Sequence, residues 1–119
     1  MNPEDRIYGL VSLAKKAGKI AGGAYMVETS IKNGKSRLVI LAGDISERSG
    51  KHFKDMCSYR HVPVYAFSDM EALGHAIGKE YRAAVSVNDD GFAKAIKELL
   101  LQMCKDDMGG NSADGKKDK

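Results

Sequence analysis

Two spacings of apolar residues take turns along this chain. Near the start, Ile7, Leu10, Val11 and Ala14 recur at helical spacing. Asn2 is placed to cap that helix, Pro3 suits its first position, and Lys15 and Lys16 suit the negative end of its dipole. Gly18 is a natural stop. Lys19-Ile20-Ala21 reads as a short strand, which Gly22-Gly23 breaks. A second helix is predicted from about Tyr25 to Asn33, with Val27 and Ile31 turned inward and Gly34 at its end. Arg37 to Ala42 is the clearest strand, apolar after its first residue, as expected where both faces are covered.

Gly43-Asp44-Ile45-Ser46 then reads as a turn that caps a third helix, Glu47 to Tyr59, with Phe53, Met56 and Cys57 as its inner stripe. Val62 to Phe67 is the next strand, with Pro63 near its start, where no ladder donor is needed. Ser68 and Glu71 have the spacing of a capping box, which opens a short helix carrying Met70, Leu73 and Ile77. Ala83 to Val87 is a further strand. Asn88-Asp89-Asp90 starts the last helix, and Phe92, Ile96, Leu99, Leu100 and Met103 form its apolar stripe. The order is α-β-α-β-α-β-α-β-α, which implies βαβ crossovers and a mostly buried sheet. The expected class is α/β, a three-layer α/β/α sandwich around a mixed sheet of about four strands.

With 119 residues, the chain is expected to form one domain with a real core. Residues 105–119 hold no Leu, Ile, Val or aromatic residue, so the domain is expected to span 1–104 and the rest to be a disordered tail. A composition of 43% hydrophobic and 29% charged residues belongs to a soluble globular protein. No apolar run is long enough to cross a bilayer and the first residues do not read as a secretory leader, so a cytoplasmic protein is expected. Cys57 and Cys104 then stay reduced. Cys57 and His61 stand four apart with no second such pair, which is too little for zinc.

Charge changes the picture more. The net charge is only +3, yet Lys15, Lys16, Lys19, Lys32, Lys35 and Arg37 crowd one stretch, with Glu28 alone opposing them. A basic face on a near-neutral protein is the electrostatic footprint of a phosphate-backbone binder. Chemistry points elsewhere than catalysis. There is no dinucleotide fingerprint, P-loop or nucleophile elbow, and His52, His61 and His75 lack paired carboxylates. No enzyme, cofactor, metal or small-molecule substrate is expected. Gly22-Gly23 just before a helix presents backbone N–H groups at a positive helix end, a ready anion site. It falls inside the basic stretch, so the turn and several lysines are expected to face one ligand.

The segment from Lys15 to Asp44 resembles the kink-turn RNA-binding ribosomal proteins, the L-seven-Ae / L-thirty-e superfamily, and its bacterial YlxQ-like branch in particular. Lys-Lys-Ala-Gly-Lys-Ile-Ala-Gly-Gly, a short helix, and Gly34 through Asp44 carry the likeness. His61-Val62-Pro63-Val64 and Leu73-Gly74-His75-Ala76-Ile77-Gly78 extend it over about residues 4 to 100. The resemblance implies a non-catalytic, ribosomal-protein-like module that binds structured and kinked RNA, and a monomer is expected because no strong self-association stripe is left over once the core is assigned. It implies a first surface of Gly22, Gly23, Ala24, Tyr25 and Met26, with backbone contacts from Lys19, Lys32, Lys35 and Arg37. A second surface comprises Lys79, Glu80, Tyr81, Arg82 and Ala83, with Asp44 and Ile45 close by.

One departure matters. Well-known members carry Asn-Glu-Thr-Thr-Lys where this chain has Tyr25-Met26-Val27-Glu28-Thr29. The Asn and Glu that read the kink are replaced by Tyr25 and Met26, and the phosphate-binding Lys by Thr29. Tyr25 is placed either to stack on an exposed base or to pack beneath the loop. The alternative function is a protein-interaction module on the same fold, since a fold does not fix a function.

Overall fold

A computed structural model of the protein describes residues 2–108. Its elements are α1 (Pro3–Lys16), β1 (Ile20–Gly22), α2 (Ala24–Lys32), β2 (Leu38–Leu41), α3 (Glu47–Arg60), β3 (Val64–Ala66), α4 (Met70–Ala76), β4 (Ala84–Val87) and α5 (Asp90–Met108). The alternating order is the one the apolar pattern predicts. The sheet runs β1-β4-β2-β3 and is mixed. Only β2 and β3 pair in parallel; β4 is antiparallel to both of its neighbours, with Ile20 opposite Val87 on one side and Leu38 opposite Val87 on the other. Serial parallel crossovers, the simplest reading of the alternation, therefore give way to the insertion of the last strand between β1 and β2.

The side-chain alternation of a strand explains the two cores. Leu38 and Ile40 of β2, with Val85 and Val87 of β4, pack on Ile7 and Val11 of α1, Leu73 of α4 and Ile96 of α5. Val39 and Leu41, with Ala84, pack on Val27 and Ile31 of α2 and Phe53 and Cys57 of α3. Helices thus cover both faces, and the fold is the three-layer sandwich. Each of the Val, Leu, Ile and Phe side chains among them contributes on the order of 1.5–3 kcal/mol by leaving water. At the edge, β3 is half-buried and shorter than the apolar run 62–67 suggests. Pro63 precedes it, lacking a donor but accepting from Val39 N–H at 2.9 Å.

The caps follow the sequence with one exception. Asn2 Oδ1 accepts from Asp5 N–H at 2.8 Å, Ser46 Oγ from Ser49 N–H at 3.2 Å, and Asp89 Oδ2 from Phe92 N–H at 2.9 Å. Ser68, however, does not cap α4. Asp69 does, accepting from Ala72 N–H at 2.8 Å, while Ser68 sits at φ 68° with its hydroxyl 2.6 Å from that of Tyr8. The shift moves the helix start by one residue and turns Ser68 to α1. At the other end of the chain, α5 runs four residues past the expected domain boundary at 104. The remainder of the predicted tail, 109–119, lies outside the described residues. Among the described residues no helix is long and apolar enough to cross a membrane, and no group of His, Cys, Asp or Glu side chains could hold a metal ion.

On the α2–α3 side a buried polar chain replaces apolar packing. The Ser86 and Ser36 hydroxyls are 2.7 Å apart, Ser86 donates to Asn88 Oδ1 at 2.6 Å, and Asn88 Nδ2 donates to Ser30 Oγ at 3.0 Å. Each buried hydroxyl is satisfied, and the chain ties α2 to the far end of β4.

Gly74 decides where the loop between α4 and β4 can lie. A Cβ there would come within 2.5 Å of Glu80 O, a backbone atom that cannot step aside cheaply. Gly74→Ala is expected to lower stability by about 1–3 kcal/mol, as overpacking does; a urea melt with an unshifted midpoint would show that the loop adapts instead. Burial raises the Cys57 thiol to about 11. The folded chain holds this proton more tightly than the unfolded one, so the contribution is complete below pH 9 and lost as pH rises toward 11. Wild type should therefore lose more stability over that interval than Cys57→Ala, compared by melts at each pH.

Candidate RNA interface

β1 ends at Gly22, and Gly23 turns the chain into α2. Gly23 has φ 94°, a conformation that suits glycine. Its N–H donates to Ala84 O at 3.0 Å and its carbonyl accepts from Val27 N–H at 2.9 Å, so the turn is pinned to the sheet and to the helix. The first N–H groups of an α-helix have no partner within it. Among the described residues no side chain caps α2, and its first turn holds no acidic residue. The start of α2 is thus an open, positive backbone end.

The loop from Gly78 to Ala83 forms the facing wall. Lys79 N–H donates to Gly74 O at 2.8 Å and Arg82 N–H to Met70 O at 3.0 Å, which fixes the loop to both ends of α4. The Arg82 side chain crosses the glycine turn, 3.6 Å from where a Gly23 Cβ would stand. Its guanidinium donates to Tyr81 O at 2.7 Å. Between the two walls lies a shallow cleft of about 370 Å³ lined by residues 22–26 and 81–83. Tyr25, Met26 and Tyr81 stand around it 77%, 51% and 61% exposed. The first expected surface and residues 81–83 of the second therefore meet in one cleft, although they lie far apart in the sequence. Tyr25 does not pack beneath the loop.

Other expected residues fall elsewhere. Asp44 is near the cleft because Ala42 N–H donates to Ala83 O at 2.8 Å, but its carboxylate holds Met70 N–H at 2.9 Å. Ile45 is partly buried against the α2–α3 core. Lys79 borders a different depression beside Asp69, Glu71 and Glu80. Thr29 donates its hydroxyl to Tyr25 O at 2.9 Å, within its own helix.

The expectation that the turn and the lysines face one ligand is not met. Lys32 closes α2, a helix of nine residues and so about 13 Å long, at the end opposite Gly23. Lys35 and Arg37 follow it. Lys19 is at the start of β1, on the same side as Arg37, because Arg37 N–H bonds Val87 O and Asn88 N–H bonds Lys19 O, each at 2.8 Å. Arg37 also pairs with Asp90 at 3.0 Å. Helical spacing gave the element lengths, but the direction in which α2 returns along β1 sent its basic end away from the turn.

The sequence pattern of the ribosomal protein L7Ae/L30e/S12e/Gadd45 family matches residues 5–97. The chain belongs to that family. It is 38% identical over 93 residues to "RNA-binding protein YlxQ" of Bacillus subtilis, covering 78% of this chain and 93% of that one. A protein of the same name from Enterococcus faecium is 37% identical over 76% of this chain and 87% of its own. A solved structure of a protein of unknown function from Bacillus halodurans superposes with a TM-score of 0.76 at 32% identity, covering 79% of this chain and 95% of that one. The Giardia lamblia 15.5kD RNA binding protein, 23% identical with a TM-score of 0.67 over 80% and 82% of the two chains, shares the fold. Membership of a ribosomal-protein family agrees with the expectation of a chain that catalyses nothing.

Tyr25→Ser is expected to change stability by no more than about 0.5 kcal/mol, as for an exposed position without structural bonds. A thermal melt showing a loss several times larger would place the ring in the packing after all.

Proposed function

We propose that this chain binds structured RNA through the cleft, as a non-catalytic monomer in the cytoplasm, and that its preferred target is a kinked helix. The observation that carries this reading is the meeting of an uncapped helix start with Tyr25 and Tyr81 across one open cleft. Backbone N–H groups at the start of α2 suit a phosphate at the bend, where two backbones approach. The exposed rings suit a base freed from its stack. Two relatives named as RNA-binding proteins, 37–38% identical over most of the chain, support the same conclusion.

Kink preference has a different basis here from that of members with polar readout. Tyr25 and Met26 offer no bidentate hydrogen bonds to base edges. Stacking tolerates sequence, so shape rather than base identity should dominate selection. Arg82, held over the glycine turn, brings one cation to the place where the backbone bends.

Titration of a kink-turn hairpin and a matched straight duplex tests this at two salt concentrations. Wild type is expected to favour the kinked RNA, and Tyr25→Ser to weaken that binding by about 1–3 kcal/mol, the usual worth of one stacked base. Equal affinity for both RNAs would remove the kink from the reading. Binding to neither would favour the protein-interaction alternative, for which Met26, Tyr25 and Tyr81 supply exposed apolar surface.

A further inference from the structure

At the end of the sheet away from the cleft, the strand termini form a row. Asn88 N–H donates to Lys19 O, Arg37 N–H to Val87 O and Val39 N–H to Pro63 O, which places Lys19, Asn88, Arg37 and Pro63 side by side across β1, β4, β2 and β3. Neighbouring strands are about 4.8 Å apart, so the row is about 15 Å wide. Lys32 and Lys35 arrive beside it from the end of α2, and Arg60 and His61 from the end of α3. A cavity of about 250 Å³ opens between these ends, with Arg37, Arg60 and His61 in its wall. Next to Arg60 stands Tyr59, 81% exposed, with the guanidinium 5.8 Å from its ring centroid.

We propose that this pole is a second RNA-backbone site, which holds a segment of the bound RNA separate from the one in the cleft. The inference rests on the reading that the chain binds RNA. Charge favours the assignment. Lys19, Lys32, Lys35, Arg37 and Arg60 converge here, and Lys15 and Lys16 end α1 on the same side, since Lys19 N–H donates to Ala14 O. The carboxylates nearby are Asp89, engaged in capping α5, and Asp90, paired with Arg37. Helix dipoles draw cations to helix C-termini and account for Lys15, Lys16, Lys32 and Arg60. They do not account for Lys19 and Lys35, which lie outside the helices, whereas Arg37 is held by Asp90 and by the carbonyls of Gly34 and Ser36. Nor does the fold use Tyr59, whose ring buries little here but offers a platform for an unpaired base, with Arg60 adding a cation.

The two sites divide the work. The cleft has apolar faces, backbone donors and a single cation in its lining, Arg82, whose guanidinium is turned to Tyr81 O. The pole has the cations. Phosphate contacts supply affinity and salt dependence, whereas contacts to bases and shape supply choice. Ala83 to Asn88 separates the two by five residues of nearly extended chain, about 16 Å, so an RNA must bend around the protein or present two helical arms to fill both.

The test titrates a kink-turn hairpin with extended arms, and a straight duplex of equal length, against wild type and three variants at two salt concentrations. Lys35→Glu with Arg60→Glu is expected to weaken binding to both RNAs at least tenfold, to flatten the salt dependence, and to keep the preference for the kink. Arg82→Glu is expected to reduce the preference itself. Wild-type affinity and salt slope in the pole pair would overturn the second site even if Arg82→Glu behaves as expected. Loss of binding in the pole pair with no effect of Arg82→Glu would keep the pole and remove the cleft. Lys35→Gln with Arg60→Gln guards against misfolding: binding lost only in step with a lowered Tm in both pairs would assign these cations a structural role and overturn the proposal.

Discussion

Everything of functional interest hangs on β4 being paired on both sides. Its backbone is bonded to β1 and to β2 over its whole length, and its side chains supply both cores. At its start, Gly23 N–H reaches Ala84 O and Ala42 N–H reaches Ala83 O, which sets the cleft walls. At its finish, Arg37 N–H reaches Val87 O and Asn88 N–H reaches Lys19 O, which assembles the basic pole. A single four-residue strand thus fixes two surfaces at its two ends. Because every backbone group in its interior is used, the strand has little freedom to shift either surface without breaking the ladder.

The cleft shows how glycine positions become architecture. Gly23 permits a left-handed turn, and Gly74 permits the 78–83 loop to lie against α4 at backbone distance. Side chains at either position would push the walls apart or force them to repack. What remains exposed between the walls is mainly aromatic and apolar, with Arg82 as the one charged side chain in the lining. Such a surface gains from stacking and from released water. The departure at Tyr25 and Met26 from the polar helix start of well-known relatives is consistent with that balance. Thr29, in the place of a phosphate-binding lysine, spends its hydroxyl on its own helix.

Electrostatics and stability are also separated in this molecule. The described ion pairs are largely exposed, among them Arg37 with Asp90 and Lys51 with Asp55, and such pairs add little to folding. Folding rests on the two apolar clusters and on the satisfied Ser36–Ser86–Asn88–Ser30 chain. Surface cations are then available for a polyanion at small energetic consequence to the fold.

The sequence alone determined the elements and the class. Apolar spacing is a local property, and it placed five helices and four strands in order with their inward faces, down to the Asn2 and Ser46 caps. It also carried the family, through glycines and short apolar runs that the fold needs at fixed distances. Cap choice at Ser68 and Asp69 was beyond it, because two adjacent residues can each accept the same kind of bond and a contact with Tyr8, sixty residues away, decides between them. The grouping of site residues was beyond it too. Residues 22–26 and 81–83 meet only because β4 inserts between β1 and β2, while Lys32 to Arg37 part from them because the nine residues of α2 carry its basic end about 13 Å away along the sheet. Tyr59 and Arg60 carried no periodic signal, because exposed residues at the end of a helix belong to no inward stripe. Strand order and chain direction are properties of long-range pairing, and those alone decide which distant residues share a surface.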